Sequence, residues 1–199
     1  MPEYLKDHWV EIAGAVLSLI YLYLSIKEKA GLWIFGFISS ALYVVVFFES
    51  KLYADMSLQF YYLAVSVYGW FSWKRKVDDS GAHLAISTVD KQKWLPLLGA
   101  FLAILAVYYI ILQYFTDSPV PKADSVVGAL SVIATWMLAK KKIENWLLWI
   151  LADGLAAGLY FYKELYPTVI LYIVYAVMAV VGYFQWKKSL AAKKAACNL

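Results

Sequence analysis

The sequence predicts an all-α integral membrane protein, with seven transmembrane helices in a three-plus-one-plus-three arrangement of two parallel three-helix repeats. Three observations carry that expectation. Hydrophobic residues make up 63% of the chain and charged residues only 16%, where a soluble domain is near half apolar and a quarter charged. A core of 199 residues cannot absorb that surplus, so lipid is the expected solvent. The charges gather in gaps between apolar runs long enough to cross a ~30 Å hydrocarbon layer. The chain also meets itself when shifted by 113 residues.

The spans read in order as 9–26, 31–49, 53–73, 94–115, 124–139, 145–162 and 166–186. The breaks between them are Lys27-Glu28-Lys29, Glu49-Ser50-Lys51, the polar stretch Lys74 to Lys93, Thr116 to Lys122, Lys140 to Lys142, and Lys163-Glu164. The last break separates helices that would otherwise read as one, and Pro167 suits a first helical turn just after it. The chain opens Met1-Pro2-Glu3 without a basic stretch, so the first run is expected to stay in the mature protein. The lone Cys197 has no partner for an intrachain disulfide.

Lysine and arginine set the orientation. Lys6, Lys51, Lys122 and Lys163, four in all, fall on the side of the N-terminus. The other fourteen fall on the opposite side, at Lys27, Lys29, Lys74 to Lys76, Lys91, Lys93, Lys140 to Lys142, Lys187, Lys188, Lys193 and Lys194. The N-terminus is therefore expected outside and the C-terminus in the cytoplasm of a bacterial inner membrane. The net charge of +4 is spread over these gaps and forms no nucleic-acid patch.

The 113-residue shift pairs Trp33 with Trp146, Leu52-Tyr53 with Leu165-Tyr166, Gly69 with Gly182, Phe71 with Phe184 and Trp73-Lys74 with Trp186-Lys187. Leu17-Ser18 meets Leu130-Ser131, Lys27 meets Lys140, and Glu11 meets Asp124. The expected division is a first repeat at 1–76, a cytoplasmic loop and linker helix at 77–123, a second repeat at 124–188 and a cytoplasmic tail at 189–199. A single linker helix turns the second repeat to run parallel to the first, a plan common among transporters.

Polar residues in hydrocarbon are costly and belong against protein or a water-filled cavity. On the third helix Asp55, Gln59, Tyr62, Ser66 and Gly69 share one face, and on the sixth Asn145, Trp149, Asp153, Ala156 and Tyr160 do. Glu11, Gly14, Ser18, Tyr21 and Ser25 form a stripe on the first helix, Trp33, Gly36, Ser40 and Tyr43 on the second, and Asp124, Gly128, Ser131 and Thr135 on the fifth. Ser18, Ser66, Gly128 and Ser131 read as helix-packing residues. Trp9, Trp94, Trp146 and Trp186 read as interfacial anchors, and Asp55 and Asp124 as caps or dipole partners. Asp153 lies two turns into its helix with no cation nearby in sequence. A carboxylate among Trp and Tyr rings suits an organic cation, although a neutral heterocycle stacks on such rings equally well.

His8 and His83 fall outside the spans, and no metal cluster, phosphate loop or nucleophile elbow is present. No enzyme activity and no cofactor are expected.

Leu52-Tyr53-Ala54 with Gln59, Tyr68-Gly69-Trp70-Phe71-Ser72-Trp73 and Glu144-Asn145-Trp146-Leu147-Leu148-Trp149 resemble the Pnu family of vitamin transporters over nearly the whole chain. The resemblance implies facilitated diffusion of an unphosphorylated vitamin, trapping by a cytoplasmic vitamin kinase, and a homotrimer. It implies a substrate site formed by Ser39, Tyr43, Gln59, Tyr62, Asn145, Trp149, Asp153 and Tyr160, with Trp70, Trp73, Tyr183 and Trp186 as gate or signature positions. Nicotinamide riboside carriers of the family, as aligned, hold asparagine where this chain has Ser39 and Asp153. The change from amide to acid ranks thiamine, with its thiazolium and aminopyrimidine, ahead of nicotinamide riboside. A seven-helix sugar carrier and a non-transporting membrane protein are the other readings.

Overall fold

The computed structural model describes residues 9–49, 53–75, 84–116 and 118–197, which hold seven α-helices. They are α1 (Trp9–Ile26), α2 (Leu32–Glu49), α3 (Tyr53–Lys74), α4 (Trp94–Phe115), α5 (Pro121–Ala139), α6 (Asn145–Tyr162) and α7 (Tyr166–Cys197). A short 3₁₀ turn, Lys91–Lys93, leads into α4. The chain divides into two compact units, Met1–Arg75 and Lys76–Leu199, so the linker helix α4 groups with the helices that follow it. Consecutive helices pack on one another within each unit: α1 on α2 on α3 in the first, and α4 on α5 on α6 on α7 in the second.

Three stretches are long and apolar enough to cross a membrane: Lys91–Phe115, Pro121–Ala139 and Tyr166–Lys193. None of the residues of α4 is buried, whereas about half of the apolar window of α5 is. Helix α5 is thus the packed centre of its unit, and α4 is a peripheral strut. Leu97, Phe101 and Ile104 of α4 close over Ile133 and Met137 of α5 and Val89 of the preceding segment. Gly128 lets the Tyr108 ring lie against α5, since a β-carbon there would stand 2.9 Å from it.

The helix ends show why the turns form where they do. Glu28, Lys141 and Glu164 all adopt left-handed backbone, with φ of 56°, 49° and 59°. Each sits just past a helix and closes a Schellman motif, in which two late amides return to the last turn. Lys29 N–H reaches the Leu24 carbonyl and Glu28 N–H that of Ser25. Lys142 to Met137 and Lys141 to Leu138 repeat this 113 residues on, and Leu165 to Tyr160 and Glu164 to Phe161 close the α6 end. Using a non-glycine residue in this conformation costs roughly 1 kcal/mol, which the recovered carbonyl bonds offset.

The interior of each unit holds the same aromatic lock. In the first, Trp33 meets Trp73 edge-on at 5.7 Å and 90°, and in the second Trp146 meets Trp186 at 5.5 Å and 88°. Gly69 and Gly182 let the Trp33 and Trp146 rings press on the backbones of α3 and α7. Trp146 and Trp186 are 1% and 0% exposed, which corrects their reading as interfacial anchors. Trp94 is half exposed, as an anchor would be; the side chain of Trp9 lies outside the described residues.

Two further expectations change. Helix α5 begins at Pro121, three residues before the expected start, because proline suits the first turn. Asp124 is not the cap, a position Val120 holds, but it lies in the first turn, where an acid suits the helix dipole, and pairs with Lys163 at 3.0 Å. Helix α7 runs on from the last expected span through residue 189 to Cys197. Its alanines and lysines are strong helix formers. At 32 residues α7 is about 48 Å long and outruns a bilayer core. Ser50 and Lys51 of the second break, the side chains of Glu11, Glu49 and Asp55, His8, His83 and the loop 77–83 lie outside the described residues.

Candidate functional site

Helix α6 carries the most unusual side chain of the second unit. Its buried face runs Asn145, Trp146, Ala152, Asp153 and Ala156, while Leu147, Leu151, Leu155 and Phe161 are exposed. Asp153 is 5% exposed and makes no hydrogen bond or ion pair to any described residue. Burying an unpaired carboxylate costs several kcal/mol, and packing alone offers no return for it. Trp149 stands one turn before it on the same face, half-buried.

Tyr160 lies seven residues beyond Asp153, about 10 Å along the helix. Its ring stacks on Tyr172 of α7 at 5.1 Å and 24°, and Tyr172 meets Tyr175 edge-on at 5.7 Å. The Lys163 ammonium lies 5.6 Å from the Tyr160 ring centre. That ammonium is also bonded to both oxygens of Asp124, at 3.0 and 3.1 Å, and Ser118 donates to the same carboxylate at 2.6 Å. A tyrosine ladder therefore runs along α6 and α7, closed at one end by an ion pair.

Asn145 is fully buried, and its amide nitrogen donates to the Lys142 carbonyl at 2.6 Å. That bond closes the turn between α5 and α6, while the amide oxygen is buried without a partner among the described residues. An extended segment docks on this turn. Ser87 exchanges backbone bonds with Lys141 and Ile143, each 3.0 Å, and Lys142 reaches Ser87 Oγ and the Thr88 carbonyl, each 2.9 Å. Val89 N–H donates to Glu144 Oε1 at 2.9 Å. Ser125, Ser131 and Thr135 return their hydroxyls to carbonyls of their own helix or its N-terminal end, as packing residues do.

In the first unit Tyr43 rests its hydroxyl end on Gly14 and stacks on Phe47 at 5.7 Å. Gln59 is half-buried and unpaired among the described residues, and Tyr62 lies beside Tyr61 at 5.5 Å. Ser39 is half-buried, whereas its neighbour Ser40 is 6% exposed. The 113-residue shift places Ser40 opposite Asp153, Gln59 opposite Tyr172 and Tyr62 opposite Tyr175. Sequence reasoning passed over Tyr172 and Tyr175, although the shift applied to Gln59 and Tyr62 points to them.

Of the four signature aromatics, Trp73 and Trp186 are core, as described above. Trp70 and Tyr183 are half-buried, and each has a lysine one turn on beside its ring: Lys74 at 3.8 Å and Lys187 at 5.9 Å. Among the described residues no group of three His, Cys, Asp or Glu side chains could hold a metal ion.

Residues 8–188 match the family described as nicotinamide mononucleotide transporter. The chain is 26% identical over 211 aligned residues to a nicotinamide riboside transporter, PnuC, of Escherichia coli, which covers 91% of this chain and 86% of that one. It is 24% identical to a riboflavin/roseoflavin transporter, RibM, of Streptomyces davaonensis, over 89% of this chain and 84% of that one. A crystal structure of the vitamin B3 transporter PnuC superposes with a TM-score of 0.75 at 24% identity, covering 95% of this chain and 85% of that chain. At that identity the superposition speaks for the fold.

Proposed function

The chain belongs to the nicotinamide mononucleotide transporter family, and from that premise we propose that it carries an unphosphorylated, positively charged vitamin across the bacterial inner membrane. The named relatives are transporters, which agrees with a chain that carries no catalytic constellation in its sequence. The observation that carries the choice of substrate class is Asp153, buried on α6 and unpaired among the described residues. A buried carboxylate with Trp149 one turn before it and the Tyr160–Tyr172 stack about 10 Å further along the helix suits an elongated aromatic cation, held by charge and by ring faces.

Thiamine fits this set best: its thiazolium balances the charge, and its aminopyrimidine offers a donor to the carboxylate. Nicotinamide riboside is the second reading, favoured by the names of several relatives. The N-terminus lies outside and the C-terminus in the cytoplasm. The working unit is a homotrimer. Transport is facilitated diffusion, and a cytoplasmic kinase keeps the vitamin inside by phosphorylating it. No second stripe of ionisable residues supports ion coupling.

The test is calorimetric titration of the full-length protein with thiamine, nicotinamide riboside, riboflavin and thiamine monophosphate, repeated on Asp153→Asn. Loss of a hydrogen bond to a charged group is worth roughly 1.5–3 kcal/mol, so the variant should bind its vitamin about 10–100-fold more weakly while eluting as the parent does. Unchanged affinity would remove Asp153 from the site. Binding of nicotinamide riboside alone would keep the family reading and replace the substrate.

A further inference from the structure

The first unit carries an apolar groove that shares only the signature residue Trp70 with the positions assigned to the vitamin. Trp33, Ile34, Phe37 and Ile38 of α2 face Ser66, Val67, Trp70 and Phe71 of α3 across a cavity of about 240 Å³. Ile34, Phe37, Ile38 and Val67 are 43–47% exposed and Phe71 is 67% exposed, so an apolar channel lies open along the outside of the helix pair. Such a channel in a membrane span suits a hydrocarbon chain.

One end of the groove is basic. Trp33 opens α2 and Trp70 nears the end of α3, so both walls finish at the same end of the unit. The Lys74 ammonium lies 3.8 Å from the centre of the Trp70 ring, directly on one wall, and Arg75 follows it. Lys27 and Lys29, both exposed, sit in the α1–α2 turn at that same end, where Glu28 is the one acid of the turn. Apolar walls with a lysine at the mouth complement a lipid whose head is anionic, and basic pockets at the cytoplasmic ends of spans take such heads. The 113-residue partners of the walls keep their apolar character, but Ser66 becomes Ala179, 0% exposed, and Trp70 becomes Tyr183. At Tyr183 the matching Lys187 stands off at 5.9 Å. The close ammonium contact thus belongs to the first unit.

We propose that this α2–α3 groove binds one acyl chain of an anionic phospholipid, with Lys74 holding the phosphate. The placement at the cytoplasmic leaflet rests on the orientation given under the proposed function, but the headgroup chemistry does not.

The experiment uses the purified full-length protein in neutral detergent. Thermal stability is followed while dioleoyl phosphatidylglycerol or dioleoyl phosphatidylcholine is added. Phosphatidylglycerol should raise the midpoint saturably and phosphatidylcholine should not. Lys74→Gln, an exposed substitution, should raise the half-saturating phosphatidylglycerol concentration about fivefold. Quenching of tryptophan fluorescence by acyl-brominated phosphatidylglycerol should weaken in the same proportion, and Ser66→Leu should abolish the saturable part by filling the groove. Equal effects of the two lipids, or an unchanged Lys74→Gln titration, would overturn the proposal. So would efficient disulfide cross-linking of Ile38→Cys between copies in native membranes, because a second protein chain would then occupy the groove. Vitamin binding is measured on the same samples, so failure of the lipid site and failure of the transport reading give different results.

Discussion

Gly182→Ala should destabilise the protein although alanine is the better helix former. A β-carbon at Gly182 would stand 2.6, 2.6 and 2.7 Å from three carbons of the Trp146 ring. Comfortable carbon contacts are about 3.5–4.0 Å, so the shortfall is close to 1 Å. The ring has no retreat: Trp146 is 1% exposed, and Trp186, 0% exposed, meets it edge-on at 5.5 Å. Overpacking of a rigid core costs ~1–3 kcal/mol, and here the upper part of that range applies. Alanine returns about 1 kcal/mol through helix propensity, which leaves a net loss of roughly 1–2 kcal/mol. For a chain of this length that is about 2–8 °C in midpoint, read by heating aliquots and counting the folded fraction by size exclusion. Gly154→Ala and Gly158→Ala are the controls, because a β-carbon at either meets nothing within 4 Å; neither should lower the midpoint. Combining Gly182→Ala with Trp146→Phe should cost less than the two separately, since the smaller ring relieves the clash. A Gly182→Ala midpoint at or above the parent's would refute the argument, and with it the claim that the glycine is there for the ring.

Two further outcomes follow from the second unit. Lys163→Met leaves Asp124 without its cation at a site 20–25% exposed, so stability should fall by about 1–2 kcal/mol. The same variant should also loosen the Tyr160–Tyr172 stack and weaken vitamin affinity, whereas Lys163→Arg should restore both; loss of stability with unaltered affinity would detach the ion pair from the site. Lys142→Met removes the bonds to Ser87 Oγ and the Thr88 carbonyl. Hydrogen exchange at Ser87 and Val89 should then speed up roughly 5–30-fold, with α4 and α7 unaffected, and equal rates in parent and variant would mean that the backbone bonds of Ser87, the Val89–Glu144 bond and the buried Ile86 and Val89 hold the segment without Lys142.

What could be read in advance divides by the range of the interaction. Helices were legible because an apolar run bounded by charges has one solution in a bilayer, and the observed boundaries at Ile26, Phe115 and Tyr162 coincide with the expected ones. The packing of Trp146 was not, because tryptophan near a span end suits both a headgroup layer and a core. The pair with Gly182, 36 residues away, held the deciding information, and it shows only once the ring is in place. Asp124 and Lys163, 39 residues apart, and Val89 and Glu144, 55 apart, are likewise contacts between elements that no local pattern announces.

The internal shift, however, separates scaffold from specificity better than either half does alone. Trp33, Gly69 and Trp73 have identical counterparts in Trp146, Gly182 and Trp186, and those are the residues that lock each three-helix unit. A lock tolerates no change, because each ring fills space that only a glycine leaves. Ser40 against Asp153, Gln59 against Tyr172 and Phe47 against Tyr160 break the match at positions on the same helices. Two units that fold alike have no packing reason to differ there, and a buried unpaired acid in one of them is a cost that packing does not require. Under the proposed function, the acid that only the second unit carries serves a cationic ligand. On that argument the substitution that makes the halves alike at this position, Asp153→Ser, should stabilise the empty protein while weakening its hold on the vitamin. A fall in stability instead would mean that the acid serves the fold.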